Sequence, residues 1–259
     1  MSIEIRKLYF QYDFPKTDVL RDINLKIEKG EVVALMGASG SGKSTLIKII
    51  SSFLKPTSGE VLINENPVEL NQPFRSLAYV SQLSSKTLFP WLSVEANLYY
   101  PSQLRNELNP KTKQYCDELL DILKIKHRRK SYPLKLSGGE QKRLSLAVSL
   151  SYKPEIILLD EPFSGIDFRL AEELWDVLYK DFQKRNPTVL FITHSLDEVS
   201  ILANKVLFLT SSKSLSIPDK SVVDFEKSDL TPRYKLITKP SMVNYKQYLL
   251  EQFNLAMNG

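Results

Sequence analysis

Residues 37–45 read GASGSGKST, which places Gly37, Ser39, Gly40 and Gly42 ahead of Lys43, Ser44 and Thr45. The stretch fits G-x-x-x-x-G-K-[ST], and it stands between a short apolar run and an amphipathic segment. Such glycines let the backbone wrap closely around phosphates, so that successive N–H groups and a helix N-terminus face the anion. Lys43 adds a point charge for the outer phosphates, and the Ser44 hydroxyl suits Mg²⁺. The complementary acids stand in IILLDEP, residues 156–162. Asp160 ends an apolar strand, where open α/β sheets place their ligands, and suits the Mg²⁺ shell through water. Its neighbour Glu161 is suited to polarising an attacking water.

Three further positions are polar outliers. His194 follows the apolar run TVLFIT, and spacing alone leaves it either a structural residue capping a strand or a catalytic one. The other histidine, His127, lies in the basic stretch KIKHRRK and reads as surface. Gln82 follows LAYV, within reach of a metal or a water.

A second glycine loop, Ser137, Gly138 and Gly139, stands directly before the helical stretch EQKRLSLAVSL. It is a phosphate cradle by the same physics. It belongs to a helical region rather than to the strand that feeds the first loop. The expectation is therefore two chains head to tail, each offering its second cradle to the other's nucleotide.

The elements that must position these residues are legible from periodicity. Residues 3–10, 22–27, 32–36 and 61–63 read as strands, with Ile23, Leu25 and Ile27 alternating onto one face. A helix is expected from Lys43 to about residue 54, burying Leu46, Ile47, Ile49 and Ile50. Residues 84–153 read as a mostly helical, polar subdomain containing the amphipathic CDELLDILKI. Strands return at 155–160, 188–193 and 205–210, separated by a helix carrying Leu170, Leu174, Leu178 and Phe182 and by another starting near Ser195. Alternating strands and helices predict an α/β fold with a mainly parallel sheet covered on both faces. The expected organisation is one domain: a core of residues 1–83 and 154–210, the helical subdomain 84–153, and a basic tail 211–259 with one helix over 243–253.

Bulk composition narrows the classes. The 259 residues carry 42% hydrophobic and 25% charged side chains, as expected of a globular chain with a real core. A net charge of +5 selects neither nucleic acid nor a lipid surface. Cys116 is the single cysteine, which excludes an intrachain disulfide framework or a multi-cysteine metal site. No secretory pattern opens the sequence, and no apolar run is long enough to span a bilayer, so a cytosolic protein is expected. Asn204-Lys205 lacks the following aspartate that guanine recognition by Asn-Lys-x-Asp requires.

With these motifs in this order, the sequence resembles the ATP-binding subunit of ABC (ATP-binding cassette) transporters from about residue 3 to residue 210. In that resemblance residues 37–45 match Walker A and 156–160 match Walker B, with Glu161 as the catalytic glutamate. Gln82 matches the Q-loop, LSGGE (136–140) the signature loop, SGID (164–167) the D-loop and His194 the switch histidine. Tyr12 stands where the family stacks an aromatic on adenine, with Phe14 and Phe10 as alternatives.

The resemblance implies a P-loop NTPase with an N-terminal antiparallel β subdomain and an inserted α-helical signature subdomain. It implies ATP and Mg²⁺ as cofactors, and a homodimer closed over two ATP. It further implies integral membrane permease partners, a possible substrate-binding protein, no nucleic acid, and a peripheral place on the cytoplasmic face of the membrane. The run LFPWLSVEANLYYP and the tail with Pro232-Arg233 are similar to importer ATPases for nitrate, sulfonates and taurine, with an exporter or lipid-transport subunit, or a soluble ABC-type ATPase acting on nucleic acid, as the alternative readings. Leu88, Phe89, Trp91 and Leu92 around Pro90 are either an exposed docking patch or a small local core. SGID in place of Ser-Ala-Leu-Asp and GGEQKR in place of an ending in Met-Arg-Gln-Arg depart from that subfamily. Neither change removes a phosphate-binding or catalytic group.

Overall fold

The computed structural model describes residues 1–72, 74–82, 87–218 and 239–258. The chain opens with two long antiparallel strands, β1 (Ile3–Tyr12) and β2 (Thr17–Ile27), in which Ile23, Leu25 and Ile27 are buried as their alternation predicts. Next, β3 (Val32–Gly37) is buried along its whole length and turns through the first glycine loop into α1 (Lys43–Ile50). That helix ends about a turn earlier than expected. Ser51 Oγ donates to Ile47 O at 2.9 Å, and Ser52 takes φ 69°, which swings the backbone out of the helical path. β4 (Ser58–Ile63) and β5 (Asn66–Pro67) complete an antiparallel sheet of order β2-β1-β4-β5.

β6 (Leu77–Val80) leads into three helices, α2 (Val94–Leu104), α3 (Pro110–Ile122) and α4 (Gly138–Leu150). The chain then alternates: β7 (Ile156–Asp160), α5 (Phe168–Arg185), β8 (Thr188–Ile192), α6 (Leu196–Leu202) and β9 (Lys205–Leu209). β10 (Leu215–Ser216) and α7 (Pro240–Asn258) follow. The second sheet has order β10-β9-β3-β8-β7-β6 and is parallel except for β10. The carboxyl ends of β3, β6, β7 and β8 therefore share one edge.

The continuous apolar runs of these strands follow from burial on both faces. Val33, Leu35, Leu158 and Leu190 pack with α1 and the antiparallel sheet. Ala34, Met36, Leu159 and Phe191 pack instead with the helical layer. Within that layer Asn109 caps α3, Pro110 takes its first turn, and Cys116, Leu119 and Leu120 face inward.

Of the two readings for residues 88–92, each holds for part of the run. Leu88 is buried in the core, whereas Trp91 is 70% exposed. Asn97, itself buried, explains how the loop keeps this shape. Its Oδ1 accepts from Phe89 N at 2.9 Å, and its Nδ2 donates to the carbonyls of Phe89, Leu92 and Ser93 at 3.1, 3.0 and 3.0 Å. Asn97→Ala should therefore lose about 2–3 kcal/mol of stability by leaving buried backbone groups unpaired. Urea unfolding checks this, and a midpoint equal to wild type would contradict it.

The terminal helix α7 is longer at both ends than the expected 243–253. Met242 and Leu249 are buried, Phe253 meets Phe208 edge-on at 5.7 Å, and Lys246 pairs with Asp197 of α6 at 2.7 Å. Residues 84–86, where the helical subdomain was expected to begin, and Pro232-Arg233 lie outside the described residues. Among the described residues no helix is long and apolar enough to cross a membrane.

Candidate active site

The first glycine loop is shaped by close approach. Gly42 has φ 107°, and a Cβ there would sit 2.8 Å from Val19 Cγ1 and 2.9 Å from Val19 O. At Gly37 a Cβ would lie 2.6 Å from Leu209 O. Gly40 meets nothing but has φ 78°, so its requirement is conformational. Lys43 folds back over the loop and donates from Nζ to Gly37 O and Ala38 O, both at 2.8 Å. Burial lowers its pKa, while Glu161 and Asp160 favour the charged form. The ammonium is thus held at the mouth of the loop by two carbonyls, ready to exchange them for phosphate oxygens.

At the end of β7, Asp160 is only 3% exposed. Burial raises its pKa, and a hydrogen bond from Ser44 opposes that shift. Glu161 turns out of the strand with φ 50° while its N–H donates to Ile192 O at 3.1 Å. This turn aims the carboxylate across the strand ends. Its Oε2 accepts from Gln82 Nε2 at 3.0 Å, and its Oε1 lies 3.3 Å from His194 Nε2. The ends of β6, β7 and β8 thus bring Gln82, Glu161 and His194 into one cluster, which spacing alone did not decide for His194.

A cavity of about 610 Å³ joins this cluster to the loop. Ser39, Gly40, Gly42, Lys43, Ser44 and Thr45 line it together with Gln82, Glu161 and His194. Tyr12 and Phe14 line its far wall. Phe10 is buried behind Tyr12, 4.8 Å away edge-on, which removes it as an alternative stacking residue. Tyr12 Oη stands 3.3 Å from Thr45 Oγ1.

Ser137, Gly138 and Gly139 are not among the residues lining this cavity. Ser137 caps α4 instead. Its Oγ accepts from Glu140 N at 3.3 Å, and Glu140 Oε2 accepts from Ser137 N at 2.8 Å. Glu140 also takes Arg128 Nε at 2.9 Å, with His127 Nε2 at 3.4 Å. The S-x-x-E spacing within LSGGE is the sequence signal of this capping box. A Cβ on Gly138 meets nothing within 4 Å, so the first turn of α4 presents open backbone.

Arg128 and the Ser137 amide pull the Glu140 carboxyl down from 4.5 to about 2. A carboxylate with a depressed folded-state pKa stabilises fully above its unfolded value and loses that contribution as pH falls. The capping box should therefore contribute on the order of 2 kcal/mol above about pH 4.5 and progressively less toward pH 2. Comparing wild type with Glu140→Gln by urea unfolding at several pH values checks this. The stability gap should shrink on acidification, and a constant gap would contradict it.

Sequence reasoning gave no role to Lys142, Thr193 or Glu198, which are buried polar residues behind Glu161, with Lys142 reaching the exposed Ser164. Ionisable residues inside apparently amphipathic helices carry no periodic signal that separates them from the solvated face.

Fold and site together define a P-loop NTPase: a parallel sheet, a glycine loop feeding a helix, and an acid pair at the neighbouring strand ends. A family model described as ABC transporter matches residues 20–164. The chain is 38% identical over 209 residues to the aliphatic sulfonates import ATP-binding protein of Bacillus subtilis, covering 81% of this chain and 79% of that one. It is 33% identical over 210 residues to the nitrate import ATP-binding protein of Synechococcus elongatus, covering 80% and 75%. A dimeric ATP-binding cassette in a post-hydrolysis state with ADP and Pi superposes with TM-score 0.75 at 26% identity, over 86% of this chain and 99% of that one. The chain belongs to the ABC transporter family.

Proposed function

We propose that this chain is the ATP-hydrolysing subunit of an importer, coupling head-to-tail pairing on ATP to solute passage through separate integral membrane subunits. The observation that carries this reading is the placement of Glu161. It is held between Gln82 and His194 in the cavity of the first glycine loop, while the second cradle lies outside that cavity. A site so divided has the attacking-water machinery in one chain and needs a second chain to close over the γ-phosphate.

In this reading the loop amides from Gly37 to Thr45 and the Lys43 ammonium hold the phosphates, and Tyr12 or Phe14 supports the base. Ser137, Gly138 and Gly139 of one protomer meet the nucleotide of its partner. Glu161 orients and polarises the water through its two contacts, with His194 on one side and Gln82 on the other. Catalysis is then mainly positioning and electrostatic stabilisation.

Mg²⁺ suits the donors available. Among the described residues no group of three His, Cys, Asp or Glu is arranged to hold a metal. The Ser44 hydroxyl, the Gln82 amide oxygen and Asp160 through water offer the hard oxygen ligands that Mg²⁺ takes alongside phosphates. When bound it would neutralise charge on the β- and γ-phosphates.

We assign residues 1–83 and 154–210 to the nucleotide-binding core, 84–153 to the helical subdomain and 211–259 to the tail. The relatives carry sulfonate and nitrate import names, and the exposed Trp91 rim lies in the run that resembles those ATPases. Small sulfonate- or nitrate-like compounds are accordingly the proposed cargo, delivered by a substrate-binding protein. The chain itself sits peripherally on the cytoplasmic face.

Affinity purification of the tagged chain from mildly solubilised membranes, followed by a phosphate-release assay, tests the assignment. A polytopic membrane protein should co-purify, with ATP-dependent phosphate release. Ribosomes or nucleic acid in its place would contradict the transport reading.

A further inference from the structure

GGEQKR and SGID, the two motifs that depart from the subfamily pattern, meet in the fold through Lys142 and Ser164. Lys142 stands about one turn into α4. Its Nζ donates to Ser164 O at 2.9 Å and to Ser164 Oγ at 2.5 Å. At the same turn, Gly165 O lies 3.9 Å from where a Cβ on Gly139 would stand. Both the glycine cradle and the lysine of α4 therefore rest on the short segment that follows Glu161.

The ammonium is buried, with 7% exposure, and it faces acids on two further elements. Burial lowers the Lys142 pKa, while Glu161, Glu198 and Asp160 favour the charged form. Glu198, in α6, is 8% exposed and accepts from the Thr193 hydroxyl, and Thr193 directly precedes His194. Glu161, Ser164, Thr193, His194, Ser195 and Glu198 line a second cavity of about 330 Å³ on this side of the cluster.

Burying an ammonium is costly unless it is paired and hydrogen-bonded, and an apolar side chain of similar length would fill the same space at less cost. What the cation adds is direction. It fixes α4 to the Ser164 turn and sets a positive charge toward Glu161 and Glu198.

We propose that Lys142 is a positioning residue, which ties the phosphate cradle at the start of α4 to Glu161 and His194 of the same chain, so that a nucleotide held in that cradle bears on hydrolysis at the chain's own site. This rests on the proposed ATPase function. Lys142 is not among the residues lining the first cavity, and its Nζ is engaged by Ser164. Its loss should therefore appear in kcat rather than in ATP affinity.

The test is steady-state phosphate release and ATP binding for wild type, Lys142→Met, Lys142→Arg and Lys142→Gln. Lys142→Met should lower kcat about 10-fold, the scale typical of groups that orient a site from behind. Its KM for ATP should stay within about twofold of wild type. Lys142→Arg, which keeps the charge and the donors, should recover most of the rate. If Lys142→Met fails to fold, Lys142→Gln carries the test, since its amide can still donate to Ser164 without the charge; a lowered kcat at unchanged KM is again expected.

Wild-type kcat in Lys142→Met or Lys142→Gln would overturn the proposal alone. So would a parallel fall in kcat, ATP affinity and melting temperature that arginine does not rescue, because that marks a purely structural strut. Absence of phosphate release from the wild-type chain would instead overturn the ATPase reading, and the proposal with it.

Discussion

Glu161→Gln should bind ATP and accumulate as a nucleotide-closed dimer, yet release phosphate about 10²–10⁴-fold more slowly than wild type, the range expected for loss of a general base. The reason is local. Glutamine preserves the shape of the side chain and can still meet Gln82 and His194, which stand 3.0 and 3.3 Å from the two carboxylate oxygens. What disappears is the negative charge that polarises water. Binding should survive, because in the proposed function the phosphates are held by the loop and Lys43, on a different strand end. Removing an acid beside the γ-phosphate also relieves repulsion, so affinity should hold or improve. Phosphate release measured beside equilibrium ATP binding and sedimentation separates the steps. Turnover within threefold of wild type would reject Glu161 as the group that activates water.

Lys43→Ala should fail earlier, at binding. The ammonium is the cation centred on the loop, and its present partners, Gly37 O and Ala38 O, are weaker acceptors than phosphate. A charge-assisted hydrogen bond contributes about 2–3 kcal/mol, which corresponds to a roughly 30- to 150-fold rise in Kd for ATP. Urea unfolding run alongside separates a loss of binding from a loss of fold, since the change also removes two hydrogen bonds to loop carbonyls. Titration with a fluorescent ATP analogue measures the loss, and an unchanged Kd would place the phosphates elsewhere.

Most of the fold is legible because its strands carry unambiguous apolar runs. VVALM, IILL and TVLFI are buried along their length and run directly into Gly37 of the loop, Asp160 and Thr193. Boundaries were less legible where a single side chain decides them. Ser51 ends α1 through a bond to its own helix, and Asn97 shapes residues 89–93 by bonding only to backbone. Neither leaves a periodic trace.

The chemistry of the loop residues follows from spacing, since the glycine pattern already specifies a backbone shape. His194 is the contrary case. A histidine after a strand has no local signature, and only the parallel pairing of β7 with β8 brings it to Glu161. The polar cluster of Lys142 and Glu198 was hidden for the same reason, because its members come from separate helices that the sequence places 56 residues apart.

If one working site is assembled from two chains, two inactive variants should restore activity when mixed. Lys43→Ala damages the first cradle. Gly138→Asp damages the second by setting a carboxylate against phosphate, at a position where an added side chain meets nothing within 4 Å. Each variant alone should release almost no phosphate. In an equal mixture about half the dimers are heterodimers, each with one site whose Lys43 and Gly138 are both intact, so activity should rise well above either variant, to at most about a quarter of wild type, and less to the extent that the damaged cradle slows its own chain's site. A mixture no more active than its components would contradict the account.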